Sequence, residues 1–369
     1  MTDAIELAKA LIAAPSVTPA TGQVFDVLQR ALVAQGFDVE RFVVGEEPDG
    51  PVENLLATRG SGGEHFAFAG HLDVVPPGEG WSADAFAPEV KGDLLYGRGA
   101  VDMKSSIAAF VAAAEGVTDR RITLIITGDE EGPAQFGTIE LIKRMEARGL
   151  KPDLCLVGEP TSVSRLGDTV KIGRRGSTNM WIEVAGVQGH VAYPDLADNP
   201  IPRLVRILTA IEAIELDQGT DWFQPSNIEV TTVDVGNPAT NVIPATARAR
   251  LSIRYNDLQR GDALVERMRA LVEAEPGAKL TARVHGEAFL TAPGDFSARI
   301  AAAIEAETGI APELSTTGGT SDARFLSKLC PTVEFGLCNA TMHKVDEAVA
   351  LADVEALVRI YRRILTASA

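Results

Sequence analysis

Cysteine is scarce: Cys155, Cys330 and Cys338 are the only three in 369 residues, and they form no C-x-x-C pair. So few thiols at irregular spacing exclude a disulfide framework and predict inert side chains in a reducing compartment. Also missing is any run of about 18 uninterrupted apolar residues, the length a membrane span requires. The N-terminal stretch lacks the basic start, long apolar core and small-residue cleavage site of an export signal, and reads instead as an amphipathic helix over residues 1–14. A cytoplasmic location with no membrane partner is the expectation. Positive charge is short as well. Lys and Arg number 34 against 51 Asp and Glu, a net charge of −17, which disfavours the concentrated basic surface that nucleic acid or an anionic membrane demands. A small anionic substrate would still need a local cationic pocket, and Lys171, Arg174 and Arg175 stand close enough in the chain to supply one.

What is present is ordinary globular material, 46% hydrophobic and 23% charged, enough for two domains. No repeat or low-complexity tract interrupts it. The first part alternates helix and strand patterns: a helix over residues 23–35, strands over 37–44, 54–58 and 66–69, a helix over 104–114, a strand over 122–127, a helix over 138–147 and a strand over 153–157. An α/β fold with helices flanking a central mixed sheet is the economical reading. Across residues 177–286 the order becomes strand 178–185, helix 200–214, strands 228–235 and 245–254, helix 261–274, strand 279–284. That β-α-β-β-α-β order predicts a ferredoxin-like insert. Afterwards a helix over 296–307, a strand over 332–336 and a closing helix over 351–366 return to the first pattern. The expected domains are therefore 1–176 with 287–369, and 177–286 as an inserted lid.

Reactive side chains cluster just past the expected strand ends. In FAGHLDVVPPG, His71 follows an apolar strand and the Asp73 carboxylate is placed to accept its other ring N–H. In LYGRGAVDMK, Asp102 lies between a glycine-rich turn and a helix. In ITLIITGDEEG, a buried strand delivers Asp129, Glu130 and Glu131 together, a costly concentration of charge unless a cation neutralises it. With Glu159 of VGEPT and the late His343, these give two histidines and three carboxylates as metal ligands, a mixture that suits zinc and its first-row neighbours better than magnesium or calcium. Five ligands exceed the three of a single catalytic zinc. If Asp102 bridges, they make two sites of three. Glu130 is then free to move protons. His65 and His285 fit no motif and are read as structural or surface groups.

The motifs GHLDVVPPG, YGRGAVDMK, DEEG and VGEPT, followed by His343, resemble in this order the co-catalytic zinc aminoacylase and carboxypeptidase family, over essentially the whole chain. The resemblance implies a zinc-exopeptidase-like catalytic domain with two zinc ions per subunit, cobalt or manganese being possible at the second site. One zinc takes His71 and Glu159, the other Glu131 and His343, and Asp102 bridges. Asp73 supports catalysis, Glu130 is the general acid and base, and the Asp102–Met103 peptide is cis. Leu72 departs from the polar residue many relatives carry there and is expected to point into the fold. Further runs, GRRGS, QGHVAYP, NVIPA, GGTSDARF and NATMHKVDE, imply an N-acyl-amino-acid deacylase acting on a small anionic substrate. By this match Arg174, Ser177, Asn241, Arg254, Thr320 and Asn339 contact substrate, guanidinium being able to pair bidentately with carboxylate. The same match makes His190 a lid residue that reaches the neighbouring subunit's site in a homodimer formed through the lid. Deacylases differing only in the acyl pocket, a peptidase of the same family, and a non-catalytic metal- or metabolite-binding protein stand as alternatives; Glu130 separates the last, because a binding site has no use for a proton shuttle.

Overall fold

Strand His65–His71 is buried along its whole length, and Arg121–Thr127 is buried beyond its first residue. Apolar runs of this kind need both faces covered, which places them inside a sheet. In the computed structural model, which describes residues 2–367, they form the middle of an eight-stranded sheet in the order Asp38–Val44, Val52–Arg59, Arg121–Thr127, His65–His71, Leu154–Val157, Thr332–Glu334, Thr169–Lys171, Glu313–Ser315. Arg121–Thr127, His65–His71, Leu154–Val157 and Thr332–Glu334 pair in parallel, whereas Asp38–Val44 with Val52–Arg59 and Val52–Arg59 with Arg121–Thr127 are antiparallel. The mixed sheet expected from the sequence is what forms. Parallel neighbours end on the same side, so the loops after His71, Thr127 and Val157 emerge together.

Helix Lys104–Ala114 is buried on nearly every side, including Ser105 and Ser106. Phe68 of the sheet stacks on its Phe110 with centroids 4.1 Å apart, and Tyr361 of helix Leu351–Thr366 meets both rings edge-on at 5.8 and 5.9 Å. Burying each such ring contributes about 1.5–3 kcal/mol. The first helix, Ala4–Ile12, begins where Asp3 Oδ1 accepts the amides of Ile5 and Glu6. It ends where the buried Lys104 ammonium donates to the carbonyls of Leu11 and Ala14. It is shorter than the expected span of 1–14, whose first residue, Met1, lies outside the described residues. Two strands of this sheet escaped the sequence reading, Thr169–Lys171 and Glu313–Ser315. Each has three residues, too few for a period to show.

Two compact units result. The one just described runs to Ile172 and resumes over Thr291–Ser315 and from Ser321 onward. The other covers Gly173–Leu290 and Thr316–Thr320. Its edges lie a few residues outside the expected 177–286, because Gly173–Arg174 pairs antiparallel with Phe289–Leu290 and closes the insert at its neck. Within it, strands Asn227–Asp234, Thr246–Tyr255, Gly176–Ala185 and Ala278–Gly286 make an antiparallel sheet in that order. Alternate residues Ala247, Ala249, Leu251, Ile253 and Tyr255 point to one core with Leu204, Ile207 and Ile211 of helix Ile201–Glu212 and Leu264 and Met268 of helix Gly261–Val272. Asn227–Asp234 is an edge strand, and its Val230 and Val233 are exposed.

Candidate metal centre and active site

The common side of the sheet collects the expected ligands. His71 is the last residue of its strand, Glu130 and Glu131 follow Arg121–Thr127, and Glu159 follows Leu154–Val157. Asp102 arrives on the loop before helix Lys104–Ala114, where the Asp102–Met103 peptide is cis. His343 lies in the left-handed region at φ 61°. Leu72 is fully buried, turned into the fold as expected.

Asp102 sits in the middle. Its Oδ1 is 3.0 Å from His71 Nε2 and its Oδ2 is 3.3 Å from His343 Nε2. His71 Nε2 also lies 3.9 Å from Glu159 and 4.0 Å from Glu130, while His343 Nε2 lies 2.8 Å from Glu131. Donor atoms therefore converge within 4.8 Å in overlapping sets, among them His71, Asp102 and Glu159, and Asp102, Glu131 and His343. Imidazole nitrogen with carboxylate oxygen, three ligands to a set and one aspartate common to both, is a donor set that fits a pair of first-row divalent cations.

The electrostatics point the same way. Burial drives the Glu130 carboxyl well above the usual carboxylate range, and the neighbouring Glu159 charge pushes it further. Burial would depress His71, but its hydrogen bond to Asp102 and the surrounding carboxylates hold it well above an ordinary imidazole. Hydrogen bonds to Asp102 and Glu131 lift His343 to about 10. Asp102, despite burial, is held below the usual carboxylate range by the two imidazoles. Without positive charge this group of acids would repel itself apart, and a pair of divalent cations would supply that charge.

Two details depart from the sequence reading. The His71 Nδ1–H donates to the main-chain carbonyl of Asp73 at 2.8 Å, and the Asp73 carboxylate stands 3.6 Å away. That carboxylate is occupied elsewhere: it accepts the amides of Glu130 at 3.2 Å and Glu131 at 2.9 Å. Asp73 thus sets the His71 tautomer through its backbone and the acidic turn through its side chain. Burial raises its pKa to about 6, against the pull of His71 and the Glu131 amide. Asp129, expected alongside Glu130 and Glu131, turns away to accept the amides of Gln135 and Phe136 and so caps the turn that follows.

The remaining candidates divide by unit. Asn339 lies in the first, its amide donating to the Ser162 carbonyl at 2.9 Å. Arg174, Ser177, His190, Asn241, Arg254 and Thr320 lie in the second. Ser177 stands opposite Arg254 across the strand pair, Arg254 stands opposite Asn227, and Arg174 donates to the Gly319 carbonyl at 3.0 Å. His190 pairs with Val242 in a two-residue ladder that also brings Asn241 close, since the Val191 amide donates to the Asn241 carbonyl. The sequence reading placed Arg175 in a possible cationic pocket without giving it a substrate contact, and it gave Glu347 no role. Arg175 donates to Asn227 at 3.0 Å, and burial together with the nearby Arg254 charge lowers its pKa. Glu347 is the last residue of the quoted NATMHKVDE run, and its carboxylate is fully buried against the loop of Asp102. His65 is structural, its ring held between the Lys151 carbonyl and Thr123. His285 is hydrogen-bonded to Asn179.

Residues 67–367 match the peptidase family M20/M25/M40, and the chain belongs to that family of metallopeptidases, as its motifs implied. The chain is 68% identical to the succinyl-diaminopimelate desuccinylase of Sphingopyxis alaskensis over 98% of its length and 97% of the relative's. With the succinyl-diaminopimelate desuccinylase of Rhizorhabdus wittichii it shares 67% identity over 99% and 98%. Among solved structures, the aminopeptidase PepT of Bacillus cereus shares the fold at a TM-score of 0.78, with 18% identity and coverage of 98% and 97%. No helix among the described residues is long and apolar enough to cross a membrane.

Proposed function

We propose that this chain hydrolyses N-succinyl-L,L-2,6-diaminopimelate to L,L-2,6-diaminopimelate and succinate, a step toward lysine and diaminopimelate in the cytoplasm. The substrate is supported by near-full-length identity of 68% and 67% to two desuccinylases. The chemistry is supported above all by one observation: a half-buried carboxylate, Glu130, beside two ligand sets that share Asp102. Members of the family are metal-dependent and typically dinuclear. His71, Asp102 and Glu159 would hold one ion and Asp102, Glu131 and His343 the other, zinc in both, with cobalt or manganese an option at the second. When bound, such a pair lowers the pKa of a water toward about 7 and polarises the scissile carbonyl.

The protein's own groups carry the protons. Glu130 takes one from the attacking water as its oxygen bonds to the amide carbon, and gives it to the amine nitrogen as the C–N bond breaks. Burial and the Glu159 charge both keep the Glu130 carboxyl above its ordinary range, where a group that must hold and release a proton near neutrality belongs. His190 Nδ1 accepts the Ala192 amide at 3.0 Å, so a neutral ring carries its proton on Nε2 and presents a donor. In our reading that donor reaches the oxyanion in the neighbouring subunit of a homodimer built through the second unit, whose edge strand Asn227–Asp234 has a neighbouring strand on one side only among the described residues. Arg174 and Arg254, with Ser177, Asn241, Thr320 and Asn339, bind the carboxylates, and the close approach of Arg175 to Arg254 favours an anion beside them.

The decisive assay measures succinate release by metal-stripped protein before and after two equivalents of zinc, with N-acetylornithine in parallel. Zinc-dependent turnover of the succinyl substrate is expected. Turnover of the acetyl compound alone would keep the mechanism and reassign the acyl pocket, and silence on both would remove the proposal.

A further inference from the structure

Asp102 is the residue the two ligand sets share, so whatever fixes its loop fixes both. Between strand Leu94–Tyr96 and helix Lys104–Ala114 the main chain closes two turns of its own, Ala100 N to Gly97 O at 3.1 Å and Lys104 N to Gly99 O at 3.0 Å. Three further amides in this stretch converge on one distant side chain. The Glu347 carboxylate accepts Gly99 N at 3.0 Å on Oε2, and Val101 N at 2.7 Å and Asp102 N at 3.1 Å on Oε1. The guanidinium of Arg98 neutralises it at 2.8 Å. Its main chain takes part too, the Gly97 amide donating to the Glu347 carbonyl at 2.9 Å. Glu347 then leads directly into strand Ala348–Ala350, which pairs antiparallel with Leu94–Tyr96.

Glu347 follows His343 by four residues. One buried side chain therefore ties the segment that carries His343 to the segment that carries Asp102. We infer that Glu347 is a positioning residue whose carboxylate holds Asp102 at the separation from His343 that lets a single aspartate serve both ligand sets. A carboxylate suits the task, since its two oxygens accept several amides at once and an amide side chain cannot. In Glu347→Gln, either orientation of the side-chain amide turns an NH2 group toward main-chain or guanidinium donors. Glu347→Asp keeps the charge and shortens the reach by one methylene.

The inference rests on the metal-centre reading, and cobalt(II) tests the two separately. Parent protein, Glu347→Gln and Glu347→Asp are stripped, checked for fold by far-UV circular dichroism, and titrated with cobalt against a chromophoric chelator while the visible spectrum is recorded. Folded variants are expected to bind cobalt about 10- to 100-fold more weakly with altered visible bands, as removal of a group that orients a ligand typically causes. Turnover of the loaded variants should show kcat reduced with KM within about twofold, the pattern of a displaced catalytic group rather than a lost binding contact. Parental affinity and spectrum in the variants, with the parent binding cobalt, would overturn the inference alone. If neither variant folds, Glu347 serves stability only and the inference also fails. A parent that binds no cobalt would bring down the metal-centre reading and this inference with it.

Discussion

Asp73→Asn separates two roles that one residue performs with different atoms. Its main-chain carbonyl, 2.8 Å from His71 Nδ1, survives the substitution, so the His71 tautomer and that ligand should be retained. The carboxylate does not survive. It accepts the Glu130 and Glu131 amides on separate oxygens, and asparagine offers one acceptor and one NH2, which must face an amide donor. Hydrogen bonds to a charged acceptor contribute about 1.5–3 kcal/mol, and a buried donor left without a partner costs a further 1–3 kcal/mol. Some of that loss will relax into movement of the turn carrying Glu130. If about 1.4–2.8 kcal/mol of it falls on the transition state, kcat drops about 10- to 100-fold. The assay pairs initial rates under saturating substrate with metal content by mass spectrometry and thermal unfolding. Reduced kcat, a lower unfolding temperature and both metals retained is the expected result. Loss of the His71 metal alone, with the Glu130 turn unaffected, would show that the carboxylate acts on the imidazole after all.

Glu130→Gln should lower kcat by about 10²–10⁴ while metal content stays at the parental level, because proton transfer is lost and the ligands are not; an unchanged kcat would remove Glu130 from the mechanism. A mixed dimer of His190→Ala and Glu130→Ala chains should recover about one active site in two if the imidazole crosses between subunits, and a mixed dimer with no activity would argue against sharing. Asp217, which accepts Gly219 N, Ser226 N and Asn256 Nδ2, has its pKa lowered to about 2 from 3.8. A depressed acid stabilises the fold above its unfolded pKa and loses that contribution as pH falls through the folded one. With allowance for partial exposure, about 1–2 kcal/mol should disappear between roughly pH 4 and pH 2. Denaturant titrations across that range should show the slope in the parent and a flatter profile in Asp217→Asn.

The elements read from the sequence are those whose local pattern and tertiary setting agree. Helices Lys104–Ala114, Thr138–Ala147 and Leu351–Thr366 have the expected bounds, and the buried strands announce themselves as unbroken apolar runs. Thr169–Lys171 and Glu313–Ser315 are defined by pairing across long gaps in the chain, with one another and, for Thr169–Lys171, with Thr332–Glu334, and nothing local encodes that. The candidate ligands His71, Asp102, Glu131 and Glu159 were visible because each stands just past a strand or in a glycine-containing turn, and His343 because of the motif around it. Their supports were not. Whether Asp73 meets His71 with its carbonyl or its carboxylate depends on the turn of the main chain after Leu72, and Glu347 acts on residues far away in sequence. Asp129 was given no role of its own, because a run of three acids gives no sign of which one turns back to cap its own loop.

At the neck of the insert, the Ile172 amide donates to the Ser315 carbonyl at 3.0 Å and the Thr291 amide to the Ile172 carbonyl at 2.7 Å. The chain leaves the catalytic sheet and returns to it within a hydrogen bond of the same place. An excursion pinned at both ends in this way can change length and sequence at small cost to its host, since closure entropy grows only by about 0.6 kcal/mol for each doubling of the loop. The five candidate metal ligands and Glu130 all belong to the host, whereas Arg174, Ser177 and Arg254 belong to the excursion. Bond-breaking machinery and most of the candidate recognition groups are thereby written in separable stretches of one gene, free to diversify at different rates.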